Sequence, residues 1–505
     1  MSNGRRSEIV RRGLAMLADK PRPPTLNFAS NLELHTYTCR SPIFVSPVYR
    51  QVREPLLSRK DVIVALNTTA SPTPRSTPNT AQRESVFDRL ESNVRSYCRS
   101  FPTTFARAKG SLLFDDQARS FIDFFAGAGA LNYGHNHDRI KQAVVDHLLA
   151  DGLTHGLDLH TTAKAAFLEE LEARILRPRG LDYRVQFTGP TGTNAVEAAL
   201  KLARQATGRT GVIAFMGGYH GHSLGALAAT ANRDHRAAAG TPLSGATFIP
   251  FPGVPHMGID TLAYLRTILA DSHSGIDMPA AVILETVQAE GGIHVAPVEW
   301  LQGLRAICDD YDIVLIVDDI QVGCGRTGPF FSFERAGVVP DMVTLSKSIG
   351  GLGLPMALTL IRPDLDVWKP ADHTGTFRGN QLAFVAAAEA LRVFDDEALE
   401  DKTAANALFV EERLRADVVA LDDRIEVRGE GMIWGVDLGR IDPTGALAKV
   451  VSQQAFADGL IVERVGRSDT VLKVLPPLTI PHELLDEGLR VLAGSVKIAL
   501  DTLVA

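Results

Sequence analysis

The sequence predicts an α/β protein in which a mainly parallel sheet of seven strands is followed by a smaller α+β domain. Short apolar runs alternate with helical segments across residues 184–361, which is the pattern of a parallel sheet covered by helices. The run Ile313–Asp318 opens with five consecutive apolar residues, as a central strand buried on both faces requires. The predicted strands are Arg184–Phe187, Val212–Met216, Thr247–Pro250, Ala281–Thr286, Ile313–Asp318, Met342–Leu345 and Ala357–Ile361.

Composition shifts divide the rest of the chain. Residues 1–83 hold 13 basic and 5 acidic side chains, and residues 71–80 have the Pro, Ser and Thr content of a linker. The pattern of residues 87–100 favours one helix that ends at a proline. We predict a basic Pro/Ser-rich, poorly ordered extension (1–82), an N-terminal segment joining the small domain (83–145), a large ligand-binding domain (146–386) and a C-terminal small domain (387–505).

The overall composition is that of a globular protein, with 45% hydrophobic and 22% charged residues. A formal net charge of -7 gives no support to a nucleic-acid role. The four cysteines are scattered and no Cys/His group has zinc spacing, so we expect free thiols in a reducing, cytoplasmic compartment and no metal site. No apolar run approaches the roughly 20 residues that a membrane span needs.

Two chemically active side chains stand at the ends of neighbouring predicted strands. Asp318 ends the run of apolar residues, and Lys347 follows the strand Met342–Leu345. Because ligands bind at the carboxyl ends of strands in such sheets, both side chains are expected in one crevice. The pair alone favours a structural ion pair. The alternative is a pyridoxal phosphate site, where a carboxylate holds the ring nitrogen and a lysine bonds to the aldehyde.

A glycine pattern in the same stretch imitates a nucleotide site. Gly323, Gly325 and Gly328 spell G-x-G-x-x-G behind a strand. A dinucleotide fingerprint needs the first glycine at the strand-to-helix turn, whereas four residues separate strand and glycine here and Pro329 follows the last glycine. We therefore set a Rossmann-type nucleotide site aside.

The neighbours of Asp318 and Lys347 decide between the two interpretations. Residues 318–328 read DDIQVGCGRTG, and Ser346 precedes the lysine. This combination resembles the class III pyridoxal-phosphate aminotransferases. The resemblance implies a fold-type-I enzyme with pyridoxal 5'-phosphate as cofactor, Lys347 as the catalytic lysine, Asp318 at the ring nitrogen and Gln321 at the ring 3-oxygen.

Three further stretches resemble cofactor-binding motifs of the same family. The segment FTGPTGTNAVEAALKLAR runs from a glycine loop into a helix, where free N–H groups suit a phosphate, and the resemblance gives that role to Gly192 and Thr193. The motif GGYHGH implies that Tyr219 stacks on the ring, while His220 is taken as structural. In HTGTFRGNQ the resemblance implies that Thr376 reaches the phosphate of the other subunit, so a homodimer or higher homo-oligomer is expected.

Two charged residues resemble the family's substrate-binding pair. In LETVQAEGG the second acid, Glu290, is expected near the substrate, where it pairs with a basic residue. The basic partner expected for Glu290 is Lys473, in the stretch KVLPPL. Most of the family has arginine at this position. Lysine lacks the planar fork that binds a carboxylate through two parallel hydrogen bonds, so the usual substrate contact is altered.

Within the class, several stretches resemble the subgroup that moves an amino group from L-glutamate to L-aspartate 4-semialdehyde, as in ectoine or siderophore biosynthesis. These stretches are residues 94–102, 126–135, 156–158 with 161–164, 187–195 and 377–384. Three alternatives stay open: another ω-aminotransferase acting on ornithine, 4-aminobutyrate or a diamine; an aminomutase on the same scaffold; and a non-enzymatic regulator. The presence of both Lys347 and Asp318 argues against the third.

Overall fold

The computed structural model describes residues 85–253 and 258–504. The predicted extension of residues 1–82 lies outside the described residues. Among the residues that are described, no helix is both long and apolar enough to cross a lipid bilayer.

The centre of the molecule is a sheet of seven strands. Leu358–Ile361 runs antiparallel to both of its neighbours, and the other pairings are parallel. The prediction of a mainly parallel sheet with these seven strands is confirmed. In spatial order the strands are Arg184–Phe187, Leu358–Ile361, Met342–Leu345, Val314–Asp318, Ala281–Leu284, Val212–Phe215 and Ala246–Ile249.

Helices cover both faces of this sheet, which explains why its inner strands are almost uniformly apolar. Every residue of the central strand Val314–Asp318 is buried, as expected for a strand with helices on both sides. The helices of this part are Asp138–Leu149, Thr162–Glu170 (continued as a π-helix, Leu171–Leu176), Gly192–Thr207, Leu224–Ala229, Arg233–Ala237, Thr261–Ala270, Val298–Asp310 and Gln381–Asp396.

The helix Gln381–Asp396 leads from the large sheet to the C-terminal part of the chain. Its first turn is capped by the Asn380 side chain, which accepts a hydrogen bond from Ala383 N at 3.1 Å. It packs against the helices Asp138–Leu149 and Thr162–Glu170. The predicted domain boundary between residues 386 and 387 falls inside this continuous helix.

The C-terminal part is α+β. Its four-stranded antiparallel sheet consists, in spatial order, of Glu426–Glu430, Ile433–Asp437, Val471–Val474 and Glu463–Val465. Its helices are Leu399–Asp417, Ala446–Ala457 and His482–Val504.

The N-terminal segment shares a second sheet with the C-terminal part. The strands Phe105–Lys109, Leu112–Asp115 and Ser120–Asp123 are joined by Leu460–Ile461, which pairs in parallel with the third of them. Before this sheet, the single helix predicted over residues 87–100 is wrong. The structure has two short helices, Val86–Leu90 and Tyr97–Ser100; neither buries a residue, so no packed apolar face holds them together as one.

The glycine pattern at residues 323–328 forms turns rather than the start of a helix. Its arginine, Arg326, is fully buried and ties three distant segments together. Its guanidinium donates to Met432 O at 2.9 Å, to Pro476 O at 2.5 Å and to Asn132 Oδ1 at 2.6 Å. This stretch therefore joins the large sheet to the C-terminal part.

Candidate active site

One cavity of about 1580 Å³ opens at the carboxyl ends of the central strands. Of the residues singled out from the sequence, it is lined by Gly192, Thr193, Tyr219, Glu290, Asp318, Gln321 and Lys347. Lys473 contacts two of these side chains from behind the cavity wall. Thr376 is exposed and does not line the cavity.

Asp318 and Lys347 reach the cavity from adjacent parallel strands. Asp318 lies opposite Thr344 in the register of the two strands, and Lys347 follows three residues beyond Thr344. The adjacent Ser348 hydroxyl donates to Gly129 O at 2.6 Å, which fixes the turn after the lysine. Burial lowers the pKa of Lys347, so that its amine carries a proton less readily than an exposed lysine and is a better nucleophile.

The Asp318 carboxylate is held from three sides at the floor of the cavity. One oxygen accepts hydrogen bonds from Thr344 Oγ1 at 3.1 Å and from Ile320 N at 3.2 Å. The other oxygen lies 2.7 Å from His220 Nδ1. Burial acts to lower the pKa of His220, but the hydrogen bond and charge of Asp318 outweigh burial and raise it. The contact gives His220 an orienting function that the sequence did not reveal.

Glu285 is a buried carboxyl that the sequence analysis did not single out. It accepts hydrogen bonds from Tyr219 N at 2.9 Å and from Ala289 N at 3.1 Å, and so holds the loop that presents the tyrosine ring. Burial raises its pKa to about 7. In the sequence Glu285 is the first acid of LETVQAEGG, at the end of the strand Ala281–Leu284, where the second acid was singled out instead.

The helix Gly192–Thr207 begins at the cavity wall with its first N–H groups free of any side-chain cap. A Cβ at Gly192 would lie 2.9 Å from Ile320 Cδ1, so a larger residue would disturb this close approach. The Thr193 hydroxyl accepts a hydrogen bond from Ser223 N at 3.2 Å, which fixes the loop opposite. Uncapped N–H groups at a helix N-terminus form a site for an anion such as a phosphate.

A network of charged and amide groups occupies another wall of the cavity. Lys473 Nζ donates to Glu290 Oε1 at 2.6 Å and to Gln321 Oε1 at 3.1 Å. Gln321 Nε2 in turn donates to Glu290 Oε1 at 3.0 Å. Burial acts to raise the pKa of Glu290, but Lys473 and Lys347 hold it at about 2. The contact between Lys473 and Glu290 expected from the family resemblance is thus present.

Comparison with known proteins identifies the family. The model of the class-III aminotransferases matches residues 95–496, and the chain belongs to that family. It is 53% identical over 412 residues to a diaminobutyrate–2-oxoglutarate transaminase of Wolinella succinogenes. The aligned residues make up 81% of this chain and 95% of that protein. A transaminase of the same name from Nocardia farcinica is 54% identical over 412 residues, with 81% and 93% covered.

Solved structures agree with this assignment. The ornithine aminotransferase of Toxoplasma gondii superposes with a TM-score of 0.72 at 26% identity, over 82% of this chain and 94% of that one. The expected fold-type-I architecture is confirmed.

Class III aminotransferases depend on pyridoxal phosphate, and this chain is a pyridoxal-phosphate-dependent transaminase. When bound, the cofactor supplies a ring that accepts electrons from the substrate. The cavity fits that group: an uncapped helix N-terminus suits the phosphate, the buried Asp318 carboxylate suits a protonated ring nitrogen, and Lys347 offers an amine.

Proposed function

We propose that the protein transfers the amino group of L-glutamate to L-aspartate 4-semialdehyde, giving L-2,4-diaminobutyrate and 2-oxoglutarate for ectoine or siderophore formation. The observation that carries this proposal is the identity of 50 to 54% to several relatives named diaminobutyrate–2-oxoglutarate transaminase, each matched over more than nine-tenths of its length.

The lining of the cavity supports the cofactor-holding roles that the family resemblance implies. Gly192 and Thr193 present the helix N-terminus to the phosphate, and Tyr219 covers the ring on a loop braced by Glu285. Gln321 keeps one amide N–H for the ring 3-oxygen after donating the other to Glu290.

Proton handling is divided between two residues. Asp318, oriented by its contact with His220, holds the proton on the ring nitrogen. Lys347 carries the proton between substrate carbon and cofactor, and its lowered pKa places it closer to the range that a general base needs.

Glu290 and Lys473 bind the substrate end that faces away from the cofactor. An ammonium here acts as a point charge and does not impose the planar geometry of a guanidinium. This suits an enzyme whose two substrates differ in shape, because glutamate reacts at its α-amine whereas the semialdehyde reacts at its distal aldehyde.

Thr376 acts in the site of a second copy of the chain, so that the active unit is at least a homodimer. Its exposure in the single chain supports this, as does the exposed apolar surface next to it. Phe377 is 68% exposed, and the nearby Leu159 is 60% exposed.

We also place the enzyme in the cytoplasm. Cys98, Cys308 and Cys324 are all free thiols, and Cys98 is exposed, as expected in a reducing compartment.

A screen of amino donors and acceptors on the purified protein, read by mass spectrometry, tests this function. We expect the highest turnover with L-glutamate and L-aspartate 4-semialdehyde. Higher turnover with ornithine, 4-aminobutyrate or a simple diamine would instead assign another ω-aminotransferase. Conversion of an amino acid into its isomer without 2-oxoglutarate would assign an aminomutase.

A further inference from the structure

Glu463 is a second carboxylate on the wall of the cavity that carries Glu290. It begins the strand Glu463–Val465 and lies opposite Lys473 in the antiparallel register of the small sheet. Its side chain is only 10% exposed, and that exposed part lines the cavity. No sequence motif around Glu463 predicted that it would bind the substrate.

Lys473 is shared by two carboxylates. Its fully buried Nζ lies 2.6 Å from Glu290 Oε1 and 2.8 Å from Glu463 Oε2. Two carboxylates around one ammonium leave one negative charge in excess within this group. Burying such an excess charge is unfavourable unless a further cation approaches it.

Of the two carboxylates, Glu290 is the better compensated by its neighbours. Glu290 Oε1 receives hydrogen bonds from both Lys473 and Gln321, and the pKa of Glu290 is lowered. The pKa of Glu463 is raised, mainly because its carboxylate is buried. The negative charge of Glu290 raises the pKa further, and the positive charge of Lys473 offsets only part of this rise. Glu463 is therefore the less compensated carboxylate.

Tyr97 reaches the same wall of the cavity from the N-terminal segment, close enough to Glu463 for the carboxylate charge to act on the tyrosine hydroxyl. Like Glu463, Tyr97 lines the cavity.

We propose that Glu463 selects the amino substrate by binding the 2-ammonium group of L-2,4-diaminobutyrate, or of the corresponding semialdehyde, while the other end of the molecule faces Lys347. This inference rests on the proposed function. L-Glutamate carries only a carboxylate at its distal end when it reacts, so it does not need Glu463. 4-Aminobutyrate has the diaminobutyrate skeleton without the 2-ammonium group, so Glu463 should discriminate between these two amines.

The test is the Glu463→Gln variant of the full-length holoenzyme, with half-reaction kcat/KM measured for L-2,4-diaminobutyrate, 4-aminobutyrate and L-glutamate. We expect a loss of about 10- to 100-fold for diaminobutyrate, as for removal of a charge-assisted hydrogen bond. The values for 4-aminobutyrate and glutamate should change by less than about 3-fold, and Glu463→Asp should restore part of the preference for diaminobutyrate. The matched control is Glu430→Gln, a partly buried glutamate of the same sheet outside the cavity.

Equal losses for diaminobutyrate and 4-aminobutyrate would overturn the inference, because Glu463 would then act only as a partner of Lys473. The wild-type enzyme gives a test that does not depend on folding of a variant: it should prefer diaminobutyrate over 4-aminobutyrate by at least about 10-fold, and no preference would also overturn the inference. A wild type that accepts glutamate but rejects diaminobutyrate would overturn the proposed function and this inference with it.

Discussion

His220 Nδ1 lies 2.7 Å from Asp318 Oδ2, and both side chains are almost completely buried at the floor of the cavity. The two residues are 98 positions apart in the chain and meet because they follow different strands of one sheet. An imidazole in this position prevents the aspartate from turning away from the cavity. The remaining hydrogen bonds of Asp318, from Ile320 N and from Thr344 on the adjacent strand, reach Oδ1, so His220 is the contact that orients Oδ2.

Asp318→Asn should therefore keep the cofactor but lose most turnover, by about 100-fold or more, because an amide cannot hold a proton on the ring nitrogen by an ion pair. Steady-state kcat and the visible absorbance of the bound cofactor measure the two effects separately. A variant with near-normal kcat would show that another residue contacts the ring nitrogen.

The neighbouring Asp319 should control stability rather than turnover. Its carboxyl is buried and accepts hydrogen bonds from Ser332 N, at 3.0 Å, and from the Ser332 hydroxyl. Burial raises its pKa to about 7, against the effect of these bonds. Below about pH 4 the group is protonated in both the folded and unfolded chain. Between about pH 4 and 7 only the unfolded chain releases the proton, so this group lowers the free energy of unfolding as pH rises.

Asp319→Asn lacks that titration. Urea unfolding at pH 4.5 and pH 7.5 should show its stability rising relative to wild type at the higher pH. A stability difference that is the same at both pH values would contradict a raised pKa for Asp319.

Arg326→Leu should lower the free energy of unfolding by about 3 to 5 kcal/mol, because three buried oxygen acceptors would lose their donor. The control Arg424→Leu should cost less than about 1 kcal/mol, since the Arg424 side chain is exposed and, among the described residues, pairs with the nearby Asp422. Urea denaturation measures both. A loss under about 1 kcal/mol for Arg326→Leu would show that it does not hold the two parts of the chain together.

Mixing of inactive variants tests whether Thr376 acts across a dimer. Lys347→Ala and Thr376→Glu should each be inactive alone, the second because a carboxylate repels the phosphate. Co-expressed heterodimers would contain one intact site, so an equal mixture should recover about a quarter of wild-type activity. The control mixture of Lys347→Ala with Asp318→Asn should stay inactive, because these two residues share a cavity within one chain. No recovery in the first mixture would contradict an action of Thr376 across subunits.

Much of the fold was predictable because each central strand is a short apolar run between turn signals. The crevice was predictable as well, since Asp318 and Lys347 stand at strand ends whose positions the pattern sets. Resemblance to a family supplied the pairing of Glu290 with Lys473, which local sequence could not.

Other features depend on tertiary pairing and left no local signal. Glu463 meets Lys473 through the register of two short antiparallel strands, whereas Leu460–Ile461 just before it belongs to a different sheet. His220 looked structural because its partner follows a different strand. The exposed position of Thr376 cannot be interpreted from one chain, because the contact expected for it belongs to a second copy.

In the proposed reaction, nitrogen passes from the α-carbon of glutamate to the distal carbon of an amino aldehyde. The most direct measurement supplies nitrogen-15-labelled L-glutamate and L-aspartate 4-semialdehyde to the purified enzyme and locates the label by mass spectrometry. We predict that the label appears at the 4-amino group of L-2,4-diaminobutyrate, with one 2-oxoglutarate formed for each product molecule. Diaminobutyrate without label, or consumption of the semialdehyde without formation of 2-oxoglutarate, would contradict the assignment.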